Sequence, residues 1–527
     1  MICSKCQFEN PEEAKFCINC GALLTLPSKR PLFQTLKTNK KFLLTILGIL
    51  LVGISLITFY LFSRTQGWRA GITPIAPTPP PVKKERFVFW ADRDLWLADT
   101  TGKIQKLTDC GCVENYSLSS QKDRIVYLKD DNEGLPLNLI IINIENGQEQ
   151  ILQEKLLPEK FISPTGPEAF GDPRFELERA VSFKEAAWSL DEQKIAFISG
   201  HDGQGDLYII NPNGTNLKRV TNDKLLEFGP IWSPDGNKIV FQTTTGFGTG
   251  AGFSSSLWMA DLVKGSTKLL IRDGKLTSSR YFAPADNVTW ISDESIVFEA
   301  FTTLGLNGIW KLYGTSGDYQ CLSGEGFIDN VAFSGKTNEF AYSKVEESRL
   351  EKENKTILES KGIYITNMEG KTTKIVDGVI DYIKWSKDGQ TLVYVTEYPS
   401  GEEIFHDLYL INKDGSNKRQ VVIAGTFRYR PLILTPNRLL FLEGSAAEIN
   451  RLWHVNPDKP DQKRKLLEME KDHYLLNSSL SPTENYFVYS ERLHGKDVGL
   501  LYLLNLEKGI KIKIGEFKEV FDIIWLD

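Results

Sequence analysis

The stretch Leu207–Gln242, LYIINPNGTNLKRVTNDKLLEFGPIWSPDGNKIVFQ, combines short β-type runs with turn signals. The runs are LYII, the pair Ile231–Trp232, and KIVFQ. Asn-Pro-Asn-Gly at 211–214 and Ser-Pro-Asp-Gly at 233–236 separate them, and such combinations of residues close hairpins. The stretch therefore predicts consecutive antiparallel strands joined by tight turns.

The same pattern recurs nine times, with neighbouring units on average about 50 residues apart. One strand type has an aromatic third residue: Phe89, Tyr127, Phe197, Phe241, Phe298, Tyr342, Tyr394, Phe441 and Tyr489. A second type begins at Leu95, Leu139, Leu207, Leu257, Ile309, Ile363, Leu408, Leu452 and Leu501. The next residue is Trp or Tyr in eight of these nine units, Ile140 being the exception. One unit buries too little surface to fold alone, so the units must stack. The pattern predicts an all-β propeller of eight or nine blades, since propellers usually have four to eight.

Ile231–Gly236 and the strand after it resemble the TolB-like, or WD40-like, β-propeller repeat, in which W-S-P-D-G precedes a K-I-A-F-type strand. Trp188–Asp191 and Trp385–Gly389 match in part, whereas Trp290 and Trp525 retain only the tryptophan. The resemblance covers about Arg86–Asp527. It implies the propeller fold and says little about function, because propellers have many unrelated activities.

The two ends of the array are complementary when the strands of one blade are lettered A to D in chain order. Arg86–Phe89 is a B-type strand with no A strand before it, and Phe521–Asp527 is an A-type strand with no B strand after it. We therefore expect the C-terminal strand to complete the first blade and close the ring.

The first 28 residues contain two C-x-x-C pairs, formed by Cys3, Cys6, Cys17 and Cys20. Four thiolates are the ligand set of a tetrahedral, structural Zn²⁺ site without an open position. Phe16–Leu23 resembles the short zinc-ribbon family, and the resemblance covers Ile2–Leu24. Two disulfides are the alternative, which a reducing cytoplasm would disfavour.

Phe42–Phe62, FLLTILGILLVGISLITFYLF, has no charged residue over 21 positions and is long enough to cross about 30 Å of hydrocarbon as a helix. A core helix of this length normally has a polar face. Five basic residues precede the run and two follow it: Lys29, Arg30, Lys37, Lys40 and Lys41, then Arg64 and Arg69. The positive-inside rule predicts a cytoplasmic N-terminus and an extracytoplasmic propeller in the cell membrane. Residues 63–85 form a Pro-rich linker that we expect to act as a semi-rigid spacer.

In a four-stranded blade, the A–B and C–D turns lie on one face, and the B–C and D–A connections lie on the other. The A–B and C–D turns of this chain are short, so we call the opposite face the long-loop face. Its longest connections are Thr243–Ser256, Lys344–Gly362, Thr396–Asp407 and Gln153–Lys184. Variable loops on a rigid scaffold favour binding, so a protein or glycan partner is expected there; neutral drift of surface loops is the alternative.

Histidine and cysteine add few candidate sites. His201, His406, His473 and His494 fall on the long-loop face near Asp202, Asp407, Asp472 and Asp497, and we interpret them as solvated loop residues rather than a metal or acid–base site. His454 lies within a C strand and is interpreted as structural.

Cys110 and Cys112 are too close in sequence for an unstrained disulfide, so free thiols, or pairing with Cys321, are expected instead.

The net charge and the sequence motifs limit the range of functions expected for the chain. The net charge is −6 although the N-terminal 41 residues are basic, so the propeller is not expected to bind nucleic acid. The chain lacks the G-x-S-x-G, H-E-x-x-H and G-x-x-x-x-G-K-[ST] motifs of serine hydrolases, zinc peptidases and P-loop enzymes. We expect a binding or scaffold module for a protein, peptide or glycan. The alternatives are a propeller-pocket hydrolase or lyase acting on a small substrate, and transmembrane signalling through the zinc ribbon.

Overall fold

The computed structural model describes residues 84–526, except for 131–136, 157–185, 202–204, 224, 245–255, 273–282, 285–287, 303–304, 315–316, 325, 351–354, 401–402, 426–427, 436–437, 445–448 and 471. The chain divides into two units between Val82 and Lys83, and the described residues belong to the second. The predicted ribbon, the predicted membrane span and residues 63–83 of the predicted linker lie outside them. Within the part described, no helix is long and apolar enough to cross a membrane. The span at Phe42–Phe62 therefore stays a prediction.

The regular structure of the described residues is entirely β-strand. Blade 1 contains β1 (Arg86–Ala91), β2 (Asp94–Asp99), β3 (Ile104–Lys106) and the last strand of the chain, β37 (Val520–Trp525). Blades 2 and 3 contain β4 (Val113–Leu118), β5 (Arg124–Asp130), β6 (Leu137–Asn143), β7 (Glu149–Gln153), β8 (Ala187–Trp188), β9 (Ile195–Ser199), β10 (Asp206–Ile210) and β11 (Lys218–Arg219). Blades 4 and 5 contain β12 (Leu226–Trp232), β13 (Lys238–Thr244), β14 (Ser256–Asp261), β15 (Ser266–Ile271), β16 (Ala283–Pro284), β17 (Thr289–Ser292), β18 (Ser295–Thr302), β19 (Gly305–Tyr313) and β20 (Tyr319–Cys321).

The remaining strands continue this order. Blades 6 and 7 contain β21 (Phe327–Ser334), β22 (Glu339–Leu350), β23 (Lys355–Asn367), β24 (Thr372–Val376), β25 (Ile380–Trp385), β26 (Thr391–Ser400), β27 (Glu403–Asn412) and β28 (Arg419–Gly425). Blades 8 and 9 contain β29 (Arg428–Thr435), β30 (Arg438–Gly444), β31 (Ile449–Asn456), β32 (Lys459–Glu468), β33 (His473–Leu480), β34 (Tyr486–Leu493), β35 (Gly499–Asn505) and β36 (Lys511–Phe517). These strands form nine antiparallel sheets, so the predicted all-β propeller has nine blades.

The ring is closed by the two ends of the array, as predicted. β37 is the A strand of blade 1 and pairs antiparallel with β1, with Phe87 opposite Trp525 and Ala91 opposite Val520. The amide of Leu526 also donates to the carbonyl of Arg86 at 2.8 Å. This pairing joins the last strand of the chain to the first, so β1 is an inner strand of the blade-1 sheet and β37 is its edge strand.

The recurring aromatic residues pair across the strands of each blade. Phe89 lies opposite Trp96, and Phe241 lies opposite Trp258. The same register recurs in the other blades, with the pairs Tyr127–Ile140, Phe197–Tyr208, Phe298–Trp310, Tyr342–Tyr364, Tyr394–Tyr409, Phe441–Trp453 and Tyr489–Tyr502. The B-strand member of every pair is at most 2% exposed. Each pair joins the aromatic residue of the B strand to the second residue of the C-strand pattern. This pairing explains why both repeated positions occur in each unit.

The core lies between neighbouring blades. Successive residues of β34 point to opposite sides: Phe487 and Tyr489 pack toward blade 8, whereas Val488 packs with Phe87 and Phe89 of blade 1. A B strand is therefore buried on both faces, which explains its continuous apolar sequence instead of an alternating one.

The tryptophan of the W-S-P-D-G-like motif links adjacent blades. The indole N–H of Trp232 donates to the carbonyl of Ala187 in the preceding blade at 2.9 Å. Equivalent bonds join Trp188 to Ser117, Trp290 to Ile231, and Trp385 to Ala332. The Ser-Pro-Asp-Gly turn that follows Trp232 is held by local hydrogen bonds. Ser233 Oγ donates to Asp235 Oδ1 and accepts from the Lys238 amide.

Two connections that the sequence predicted to be loops are instead β-hairpins. In blade 6, residues 345–350 of β22 and 355–360 of β23 are paired, from Val345–Ser360 to Leu350–Lys355. In blade 7, residues 397–400 of β26 and 403–406 of β27 are paired, from Glu397–His406 to Ser400–Glu403. We call these the blade-6 and blade-7 hairpins. In the described residues near each tip, the two strands pair with each other and with no third strand, so burial does not impose the apolar alternation that identifies a strand in sequence.

Candidate functional site

A histidine and two carboxylates meet on the long-loop face of blade 7. Asp381 lies near the start of β25, at a β-bulge between Ile380 and Tyr382. Glu397 and His406 lie opposite each other where the blade-7 hairpin leaves the blade. One ligand atom from each of the three side chains lies within 4.8 Å of the others. A β-bulge changes the direction in which a side chain points. The bulge therefore accounts for the carboxylate of Asp381, on the inner strand β25, at the base of the hairpin.

His406 is the buried member of this cluster. Its side chain is 4% exposed, and its Nε2 lies 3.6 Å from Glu397 Oε2, whose side chain is 32% exposed. Neither ring nitrogen has a hydrogen-bond partner among the residues that the structure describes. The prediction that His406 is a solvated loop residue is therefore wrong, because strand pairing encloses the ring.

Asp407, the neighbour that the sequence suggested for His406, belongs to a different arrangement. Tyr409 Oη donates to Asp407 Oδ2 at 3.0 Å, and Tyr398 Oη donates to Oδ1 at 3.5 Å. Burial and the Asp407 carboxylate raise the pKa of Tyr409 to about 12. An aspartate also precedes the C-strand leucine at Asp94 and Asp206, which favours a structural role for Asp407.

His473 has its partner across the strands rather than beside it in sequence. Its Nδ1 lies 3.4 Å from Glu491 Oε1, and Lys511 Nζ lies 3.5 Å from the same oxygen. Glu491 is 2% exposed and the His473 side chain is 14% exposed, so the imidazole faces a buried carboxylate rather than solvent. The expectation of a solvated His473 near Asp472 is wrong.

The other histidines match their predictions more closely. His201 is exposed, and Asp202 lies outside the described residues. His494 contacts the ring of Tyr474, with ring centroids 4.8 Å apart. His454 lies in the C strand β31, as predicted.

Cys110 and Cys112 form a disulfide, with their Cα atoms 5.0 Å apart. This corrects the expectation, based on their short separation in sequence, of free thiols or of pairing with Cys321. The amides of Cys110 and Gly111 donate to Asp94 Oδ1 at 3.0 and 3.1 Å, which fixes the backbone between the two sulfurs. Cys321 takes no part in a disulfide with another described residue.

Glu227 is a second buried acidic group, between blades 3 and 4. Its side chain is 0% exposed, and neither carboxylate oxygen has a hydrogen-bond partner among the described residues. Burial, reinforced by the negative charges of Asp223 and Asp206, raises the pKa of Glu227 to about 9. The carboxylate of Asp206, unlike that of Glu227, has a charged partner, because it forms an ion pair with Arg219. Glu227 is therefore protonated in the folded protein at neutral pH.

Glu227→Gln should stabilise the protein at pH 8 and change its stability much less at pH 5. The folded-state pKa lies above the unfolded value, so the contribution of Glu227 is fully present below the unfolded pKa. It is lost as the pH rises toward 9, because the unfolded state ionises first. Urea unfolding at both pH values measures the difference. Exposed Glu507→Gln is the control, and equal shifts in the two variants at pH 8 would contradict the protonated state.

A cavity of about 270 Å³ lies between blades 5 and 6. Its described lining is largely apolar and comprises Thr289, Ile291, Val297, Phe298, Glu299, Val331, Phe333 and Phe340. Glu299 is the one ionisable residue in this lining. The cavity therefore lacks, among its described residues, the convergent acid–base pair that a hydrolase or lyase site requires.

The comparisons identify a domain and a fold. Residues 2–24 match the zinc-ribbon domain family, so the chain is a nine-bladed β-propeller protein with an N-terminal zinc ribbon. The predicted ligands Cys3, Cys6, Cys17 and Cys20 lie outside the described residues, and their role stays a prediction. None of the curated proteins matches the chain.

Solved structures with similar folds are distant in sequence. A eukaryotic initiation factor is 11% identical with a TM-score of 0.51, over 84% of this chain and 99% of that chain. Dipeptidyl peptidase 4 of Porphyromonas gingivalis is 12% identical with a TM-score of 0.44, over 79% of this chain and 62% of that chain. An oligogalacturonate lyase from Vibrio parahaemolyticus is 13% identical with a TM-score of 0.37, over 80% of this chain and 96% of that chain. At these identities the similarity concerns the fold alone.

Proposed function

We propose that the chain is a membrane-anchored, TolB-like β-propeller whose long-loop face binds a protein, peptide or glycan outside the cytoplasm. The zinc ribbon is then a cytoplasmic domain in which Cys3, Cys6, Cys17 and Cys20 bind one structural Zn²⁺. The uncharged run Phe42–Phe62 and the basic residues before it support the anchor and its orientation.

The observation that carries the binding proposal is the pair of hairpins on neighbouring blades. Among the described residues, the strands near the tips of these hairpins have no other paired neighbour in their own sheets, which supports strand edges that a partner can use. Main-chain edges of this kind bind extended peptides by strand addition, and their side chains supply specificity.

The blade-7 hairpin also presents a suitable surface for contact. Tyr398 and Phe405 stack across it with ring centroids 6.0 Å apart, and Ile404 between Phe405 and the tip is 51% exposed. Aromatic residues are enriched in protein interfaces, and the exposed Ile404 adds apolar area beside them.

Site-specific photo-crosslinking in intact cells tests this proposal. A photoreactive amino acid at Ile404 should crosslink a partner, and replacing residues 345–360 with a short turn should weaken that crosslink. Val263 is the matched control, because it is 76% exposed but lies on the turn between β14 and β15, on the opposite face. Crosslinks from Val263 rather than Ile404 would show that the wrong face was assigned. A cytoplasmic partner at Ile404 would contradict the proposed location.

A further inference from the structure

We propose that Asp381, Glu397 and His406 bind a divalent first-row transition-metal ion, independently of the zinc ribbon. The site belongs to the propeller, at the base of the blade-7 hairpin. It takes one ligand from each of three consecutive strands, β25, β26 and β27.

The ligand atoms of the three side chains lie close enough to bind a small metal ion after a small movement of the side chains. Metal–ligand bonds of about 2.0–2.2 Å in a tetrahedral site place ligand atoms roughly 3.4 Å apart. His406 Nε2 and Glu397 Oε2 are already 3.6 Å apart, and the ligand atoms of all three groups lie within 4.8 Å. Asp381 and Glu397 are only partly buried, so their carboxylates can approach the ion while the enclosed imidazole stays fixed.

The buried histidine provides an independent reason for a ligand. Buried polar atoms in proteins are almost always hydrogen-bonded, and each exception needs an explanation. The 3.6 Å separation from Glu397 is too long for a hydrogen bond, and no described residue serves either ring nitrogen. An ion at Nε2 would satisfy that nitrogen and would balance the two carboxylates.

The chemistry of the ligands selects the class of ion. An imidazole nitrogen with two carboxylate oxygens suits Zn²⁺ and its first-row neighbours, whereas Mg²⁺ and Ca²⁺ prefer sites made entirely of oxygen. Three protein ligands leave a further position open, and the partial exposure of Asp381 and Glu397 places it toward solvent on the long-loop face. Binding would also tie the inner strand β25 to the base of the hairpin.

Zinc stoichiometry of the purified full-length chain tests the site. The chain is stripped with a chelator under reducing conditions, dialysed against Zn²⁺ and analysed for bound metal. Wild type should bind two equivalents, and the shape-conserving variants Asp381→Asn and Glu397→Gln should each lose one. Cys17→Ser should lose the other, so the double variant Cys17→Ser/Glu397→Gln should bind none. Asp377→Asn, an exposed carboxylate on the connection before β25, should keep two.

Thermal unfolding separates metal binding from a purely structural ion pair. Zn²⁺ should raise the melting temperature of the Cys17→Ser protein, and Glu397→Gln in that background should abolish the increase. The proposal is overturned if Asp381→Asn and Glu397→Gln retain the full zinc content of wild type. It is equally overturned if all bound zinc disappears with Cys17→Ser. Loss of one equivalent in the blade-7 variants alone would support the site even if the ribbon proved metal-free.

Discussion

Trp525→Ala should lower the free energy of unfolding of the propeller by about 3–5 kcal/mol, the usual cost of truncating a large buried aromatic residue. Trp525 is 5% exposed and lies on β37, the strand that completes blade 1. Its ring packs against Phe87, with centroids 4.9 Å apart, in the core shared by blades 9 and 1. The substitution therefore weakens the junction that closes the ring. The shift of the urea midpoint measures the effect.

Phe521→Ala is the matched control for this prediction. It removes an aromatic ring from the same strand, but Phe521 is 41% exposed, and its ring lies 5.3 Å from that of Trp90. Its loss should cost much less than the loss of Trp525. Similar midpoints for the two variants would mean that ring closure contributes little to stability, contrary to the pairing of β37 with β1.

Cys17→Ser should abolish zinc binding by the N-terminal ribbon. A small ribbon has almost no hydrophobic core, so the metal must supply most of its folding free energy, on the order of 10–16 kcal/mol for structural Zn²⁺ in comparable peptides. Removing one of four thiolates leaves an incomplete tetrahedral site. Metal analysis of the full chain should show the loss of one zinc equivalent, together with faster proteolysis within residues 1–28.

Cys321→Ser controls for the chemical change alone, since Cys321 belongs to the propeller and takes no part in a disulfide between described residues. It should retain the zinc content of wild type. A ribbon that resists protease under reducing conditions without any metal would contradict the prediction.

The sequence predicted the propeller because its signals are local and repeated. Phe241 and Trp258 belong to strands that neighbour each other along the chain, so their spacing alone indicates the pairing that the structure shows. Ring closure was also predictable, because Arg86–Phe89 lacked an inner strand and Phe521–Asp527 supplied one. Nine units gave nine blades, each with its own sheet.

The blade-7 cluster was not predictable to the same degree. Its formation depends on the register that places Glu397 opposite His406 and on a bulge at Asp381, and neither follows from composition. Thr396–Asp407 was predicted to be a loop, although the aromatic residues Tyr398 and Phe405 within it are a strand signal. The burial of Glu227 depends likewise on packing between two blades.

The place of β1 within its sheet has a mechanical consequence. β1 lies between β2 and β37 and is hydrogen-bonded to both. A pull on the chain before Arg86, directed along β1, loads both ladders in shear, so their bonds must break together. A strand at a sheet edge pulled sideways would instead release its bonds one after another. Tension applied through the chain before Arg86 would thus meet a mechanically strong attachment point, and that strength depends on β37.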